Sequence, residues 1–271
     1  MIRIVFKTVI LVILTLFLSC SVTNRNQQLI IFHAGSLSVP FKQIAEAFEK
    51  EYPDAEILLE AAGSRESARK ISELGKTCDI IASADYTVIE ELLIPAHANW
   101  FLTFATNEMC IAYLPHSKAG QIINQENWME ILYKDSVLFG RSNPDLDPCG
   151  YRTVLTLKLA EKFYSKNGFT DSMLLKDVNY IRPKETDLLG LLESNTIDYI
   201  FIYRSVAEQH GLKYLILPDE INLKNPMFDE FYKSVHVEIS GKNPGETIIK
   251  KGESMIYAAT IINYAPNYKM A

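Results

Sequence analysis

From Leu29 onward the chain alternates short β-rich runs with stretches whose apolar residues recur every three or four positions. Leu29-Ile30-Ile31-Phe32 predicts a strand, and Phe41, Ile44, Ala45 and Phe48 set one apolar stripe on the helix that follows. A second strand, Ala55-Glu56-Ile57-Leu58-Leu59-Glu60, leads through Ala61-Ala62-Gly63 into a helix from Ser64 towards Leu74. Asp79-Ile80-Ile81-Ala82-Ser83 supplies a third strand. Repeated strand–helix units predict an α/β fold with a mainly parallel sheet.

A further extended run, residues 109–114, closes at Pro115 and is the expected crossing into a second lobe. That lobe repeats the pattern with a strand at 136–140, a helix opened by Asp147-Pro148, a helix through Leu188, Leu191 and Leu192, and a strand at 198–203. Residues 235–239 and 255–261 read as late strands making the return crossing. The expected organisation is therefore a lobe I of residues 29–110 plus 235–271 and a lobe II of residues 111–234. Two lobes joined by crossing strands leave a cleft, and small ligands bind in such clefts outside the carboxyl ends of parallel strands.

Composition narrows the picture. Of 271 residues, 22% are charged and 48% hydrophobic, a globular balance that excludes disorder and collagen. The net charge of −6, without a basic stripe, offers nucleic acid no footprint. Residues 1–19 carry Arg3 and Lys7, no acidic residue, and an apolar run too short to span a bilayer, which predicts a signal peptide and an exported protein. The run ends Phe17-Leu18-Ser19-Cys20 before a polar stretch. It resembles a bacterial lipobox, with Phe17 where Leu is usual, and implies that Cys20 bears a lipid anchoring the mature chain to the membrane. The alternative is a single buried cysteine ending an apolar run. Cleavage before Cys20 removes two positive charges and no negative one, taking the net charge from −6 to −8. The remaining Cys78, Cys110 and Cys149 are odd in number and lack C-x-x-C spacing, so they signal neither a disulfide framework nor a zinc site. One pair is still free to bridge, and at least one of the three reads as a small buried apolar residue.

The candidate chemistry lies in two turns. The first strand runs into His33-Ala34-Gly35-Ser36-Leu37-Ser38, where Ser36 or Ser38 can cap a helix and Gly35 lets the backbone approach a ligand. Ala62-Gly63-Ser64 repeats the device one unit later. Two helix N-termini at one sheet edge point free N–H groups at a common spot, which suits an anion without any lysine. Asp147-Pro148 is explained by helix capping alone, and Glu185, after Pro183, sits where a helix dipole favours a carboxylate.

His33-Ala34-Gly35-Ser36-Leu37, Glu60-Ala61-Ala62-Gly63-Ser64, Ser83-Ala84-Asp85-Tyr86, Asn99-Trp100, Ser142-Asn143-Pro144 through Asp147-Pro148-Cys149-Gly150-Tyr151-Arg152, and Phe201-Ile202-Tyr203-Arg204-Ser205-Val206-Ala207-Glu208-Gln209-His210-Gly211 together resemble the archaeal-type tungstate/molybdate-binding proteins of ABC transporters. The resemblance runs in order from Leu29 to Ile261. It implies a two-lobed, hinge-linked periplasmic-binding-protein fold of type II, holding one tetrahedral oxyanion in the interlobe cleft. By motif position it implies hydroxyl contacts from Ser36 and Ser64, supporting backbone at Gly35 and Gly63, and a cleft contact from Tyr203. It implies that Asp147 and Glu185 ligate the tungsten or molybdenum centre, with Asp187 the alternative second carboxylate. It implies no catalysis, no resident cofactor, a membrane permease as partner and a monomer that closes on its ligand. Relatives continue past residue 261 with helices that pack on the first lobe, so incomplete cover of that lobe is expected here.

Two rival readings remain. A hydrolase with Ser36 as nucleophile and His33 as base lacks the G-x-S-x-G elbow. A sulfate or phosphate receptor of the same fold differs in whether Asp147 and Glu185 face the ligand.

Overall fold

The structure is a computed structural model and describes residues 27–271, so the segment read as a signal peptide, residues 1–19, and Cys20 lie outside the described residues. The chain opens with β1 (Gln27–Ala34), a 3-10 turn (Gly35–Leu37), α1 (Ser38–Glu51), β2 (Ala55–Ala62), α2 (Ser64–Ser72), β3 (Ile80–Ser83), α3 (Tyr86–Leu92) and β4 (Leu102–Thr106). It crosses to β5 (Met109–Tyr113), α4 (Trp128–Tyr133), β6 (Phe139–Ser142), α5 (Pro148–Phe163), α6 (Phe169–Lys176) and β7 (Ile181–Arg182). A 3-10 turn (Glu185–Asp187), α7 (Leu188–Glu193), β8 (Tyr199–Tyr203), α8 (Arg204–Gln209) and β9 (Lys213–Ile216) follow. The last elements are α9 (Asp229–Tyr232), β10 (His236–Ser240), β11 (Thr247–Lys251) and β12 (Ile256–Ile261).

Two five-stranded sheets result, ordered β2-β1-β3-β12-β4 and β7-β6-β8-β5-β9. β1 runs parallel to β2 and β3, and β6 parallel to β7 and β8, as the strand–helix alternation demands. The strands that carry the chain between lobes run against this grain: β12 is antiparallel to β3 and β4, and β5 antiparallel to β8 and β9. Each sheet is thus mixed rather than mainly parallel.

The late strands behave differently from expectation. Only β12 re-enters the first sheet, whereas β10 pairs with β11 in a separate hairpin. Along β10, Val237 and Ile239 are buried in the core that includes α5, while His236 and Glu238 face water. The hairpin touches both lobes. Arg65 and Arg69 of α2 donate to the carbonyls of Ser240 and Gly241, and Asp145, just before α5, accepts from the Ser240 amide at 2.7 Å.

Every residue of β8 is buried, as expected for a strand inside a covered sheet, and α5 is buried on most of its faces. A smaller core of Phe32, Ile71, Ile81, Val88, Ile89 and Leu92 lies under the first sheet. The opposite face of that sheet, the one expected to be incompletely covered, carries an apolar groove of about 580 Å³ lined by Leu29, Ile31, Phe41, Leu102, Phe104 and Met270.

Candidate functional site

The two small-residue turns of the first lobe face the two carboxylates of the second. A methyl group placed on Gly35 would sit 2.9 Å from Glu185 Oε2, and one on Gly63 would sit 3.1 Å from Asp147 Cβ and collide with the Leu146 carbonyl. Glycine at both positions is what lets the lobes approach. The Glu66 amide in the first turn of α2 donates across the seam to Leu146 O at 3.1 Å. Ser36, Ser64, Asp147, Glu185 and Tyr203 are all buried, so the cleft is closed in this structure.

Asp147 does two things at once. Its Oδ1 caps α5 by accepting from the Cys149 amide at 3.1 Å, and its Oδ2 accepts from the Glu185 amide at 2.9 Å. The cap reading is therefore correct, and the same side chain also fixes the backbone that presents Glu185. Glu185 itself is 1% exposed, and neither carboxylate oxygen has a hydrogen-bond partner among the described residues. Ser142 Oγ lies beside the Asp147 carboxylate. Asp187 lies elsewhere: it pairs with Lys184 at 3.0 Å on the surface.

Burial and the neighbouring Asp147 charge push the Glu185 carboxyl well above the usual range. Burial raises Asp147 as well, against the hydrogen bonds it accepts. The closed cleft therefore holds a carboxylate pair whose burial favours a shared proton over two full negative charges.

The hydroxyls are wired differently. Ser36 Oγ lies 3.0 Å from the Tyr257 hydroxyl, Ser64 Oγ accepts from the Ala84 amide at 3.0 Å, and Tyr203 OH accepts from Arg152 Nη1 at 3.0 Å. His33 bonds the Ala34 carbonyl with Nδ1 and packs on Phe41, so it makes no nucleophile–base pair with Ser36.

A second buried cluster ties the lobes together. Asp85, the N-cap of α3, receives the Tyr151 hydroxyl and lies 3.5 Å from Arg152 Nη2, both on α5. Arg152 Nη1 also donates to Ala84 O at 2.7 Å. Burial alone would raise the Asp85 carboxyl, but the Arg152 guanidinium, then Lys250 of the hairpin, outweigh it and hold the group down at about 2. Sequence reading missed this knot, although Tyr151-Arg152 was a legible signal: two polar side chains on a helix that is otherwise buried require partners. Tyr257 was missed for the opposite reason, since a tyrosine in an apolar strand reads as core. Cys78, Cys110 and Cys149 are all buried and free.

The sequence profile of the bacterial extracellular solute-binding proteins matches residues 29–271. The chain belongs to that family. As a solute-binding protein it works outside the cytoplasm and captures a ligand rather than transforming one. It is 50% identical over 90% of its length to an uncharacterized solute-binding protein of Petrotoga mobilis, covering 76% of that protein. It is 42% identical, over 99% of its length and 87% of the relative, to the molybdate/tungstate-binding protein of Pyrococcus abyssi. Among solved structures, the periplasmic molybdate-binding protein of Azotobacter vinelandii superposes with a TM-score of 0.62 at 17% identity, over 89% of this chain and 88% of that one. The last match establishes the two-lobed binding-protein fold. Among the described residues no helix is long and apolar enough to cross a membrane.

Proposed function

We propose that this solute-binding protein captures tungstate or molybdate between its lobes and delivers it to an ABC transporter permease. The observation that carries the reading is the Glu185 carboxylate, buried beside Asp147 with both oxygens unpartnered where two lobes and three hydroxyls converge. The Pyrococcus relative, named for these two anions, supports it.

Ser36, Ser64 and Tyr203 supply hydroxyl donors to the oxyanion, with Gly35 and Gly63 allowing the backbone to close on it. Asp147 and Glu185 bond the metal centre. That pair sets the selectivity. Two carboxylates about 4 Å from a dianion repel it by several kcal/mol at an effective dielectric near 20. Tungsten and molybdenum accept extra oxygen ligands and recover that energy, whereas the sulfur of sulfate cannot. The lobes, 29–110 plus 235–271 and 111–234, close on each other about the segments that join them. The anion bridges them and stabilises the closed state by its preference for it. The protein acts as a monomer held at the membrane by a lipid on Cys20.

Calorimetric titration of the protein lacking its signal segment with tungstate, molybdate and sulfate tests the reading. Tight binding of the first two without a sulfate response is expected. Sulfate binding at comparable strength would contradict the carboxylate role and leave a general oxyanion receptor.

A further inference from the structure

The hydroxyls at the site each receive a hydrogen bond, and the donors upstream determine where their own protons are free to point. Asn107 lies at the crossing between β4 and β5. Its Oδ1 accepts from the Glu108 amide at 3.0 Å, which identifies Nδ2 as the atom facing the Ser205 hydroxyl at 2.7 Å and the Tyr257 hydroxyl at 3.0 Å. Nδ2 can only donate, so the Tyr257 oxygen accepts. The single Tyr257 proton is then left for its other neighbour, Ser36 Oγ at 3.0 Å. Ser36 accepts that bond, and its own proton has no acceptor among the described residues. Tyr203 follows the same logic, because a guanidinium can only donate: Arg152 Nη1 fills the oxygen and leaves the phenolic proton free.

We propose that Tyr257, held by Asn107, and Arg152 are positioning residues that turn the Ser36 and Tyr203 hydroxyl protons towards the cleft, so that both hydroxyls meet an oxyanion as preset donors. Neither Tyr257 nor Asn107 needs to touch the ligand. The inference rests on the oxyanion reading above. It extends that reading to the hinge, since Asn107 bonds both Tyr257 of the first sheet and Ser205 at the start of α8. A bond already oriented loses little freedom when the ligand arrives, which is where such wiring adds affinity.

The test is a double-mutant cycle on tungstate affinity, with thermal unfolding measured for every variant. Tyr257→Phe keeps the ring, including its edge contacts with Phe104 and Tyr203, and removes only the hydroxyl. It is expected to weaken binding about tenfold, the size of one oriented hydrogen bond. Ser36→Ala is expected to weaken binding at least as much, and Tyr257→Phe added to Ser36→Ala to change nothing further. Asn107→Leu, which frees Tyr257 to turn either way, is expected to cost about threefold, an effect that also vanishes in the Ser36→Ala background. Additive losses, or full affinity in Tyr257→Phe, would overturn the proposal, even where the melting temperature falls. Failure of the unmutated protein to bind tungstate or molybdate would bring down the oxyanion reading itself, and the proposal with it.

Discussion

Two clusters of buried charge sit side by side at the lobe junction, and they are opposites. In the Asp85 knot every strong group has a partner: Tyr151 and Arg152 reach Asp85 across the seam, and Lys250 approaches it at 4.0 Å. In the Asp147–Glu185 pair two acids face each other, and no donor among the described residues meets the Glu185 oxygens in good hydrogen-bond geometry. Buried ionisable groups are tolerated when paired and are expensive when not. The first cluster is therefore charge-paired in the closed protein, whereas the second sets two buried acids side by side. On the proposed function, the contrast separates closure, assigned to the knot for any ligand, from selection, assigned to the acid pair.

The largest expected effect falls on selection. Asp147→Asn retains an oxygen to cap α5 but offers a poor metal ligand. Its other position becomes an NH2 that cannot accept from the Glu185 amide, so the melting temperature should fall modestly while calorimetry shows tungstate affinity falling about hundredfold, near 2.7 kcal/mol. A uniform loss for sulfate and tungstate alike would erase the distinction between the clusters.

Closure is struck next. Gly63→Ala drives a methyl group into the Leu146 carbonyl in the closed state, yet Gly63 has φ −58° and ψ 140°, which any residue adopts. Affinity for every bound oxyanion should fall together by about thirtyfold, the scale of about 2 kcal/mol of overpacking. The free protein should melt as before. Tyr151→Phe removes one bond to Asp85 without altering charge, and about a tenfold loss, again equal across ligands, is expected by titration.

The two clusters also answer pH with opposite sign. Asp85 is held low, so its contribution to closure is present above the usual carboxylate range and is lost only as pH falls towards 2. Glu185 is raised in the closed form, so the empty closed state is favoured below the usual range and loses that advantage as pH rises through the raised value. Small-angle scattering on ligand-free protein should show a slightly smaller radius of gyration at pH 5 than at pH 8. Glu185→Gln should abolish the difference.

The residues proposed for the site were read from local motifs, before any strand pairing could be. Ser36, Ser64, Asp147, Glu185 and Tyr203 stand in turns and helix starts whose wording is local, and the strand–helix alternation around them is periodic. β4 escaped because all five of its residues are exposed, so no period-two burial marks Leu102–Thr106. The run at 235–239 was read as a strand of the return crossing with no partner named, since alternation fixes which face is buried and not which partner buries it, and it pairs with β11. Asp85 entered the sequence reading only as part of the Ser83-Ala84-Asp85-Tyr86 motif, with no role of its own. Its partners lie more than sixty residues away on α5, and such pairing is a property of the closed cleft rather than of any segment.

The central claim is that the two carboxylates bond the metal centre rather than merely border the anion. X-ray absorption at the tungsten edge of the protein loaded with stoichiometric tungstate reads this directly. The account predicts an expanded shell of about six oxygens, the two added ones at longer distance, shrinking when Asp147 is replaced by Asn. A tetrahedral shell of four oxygens, unchanged by that replacement, would contradict it.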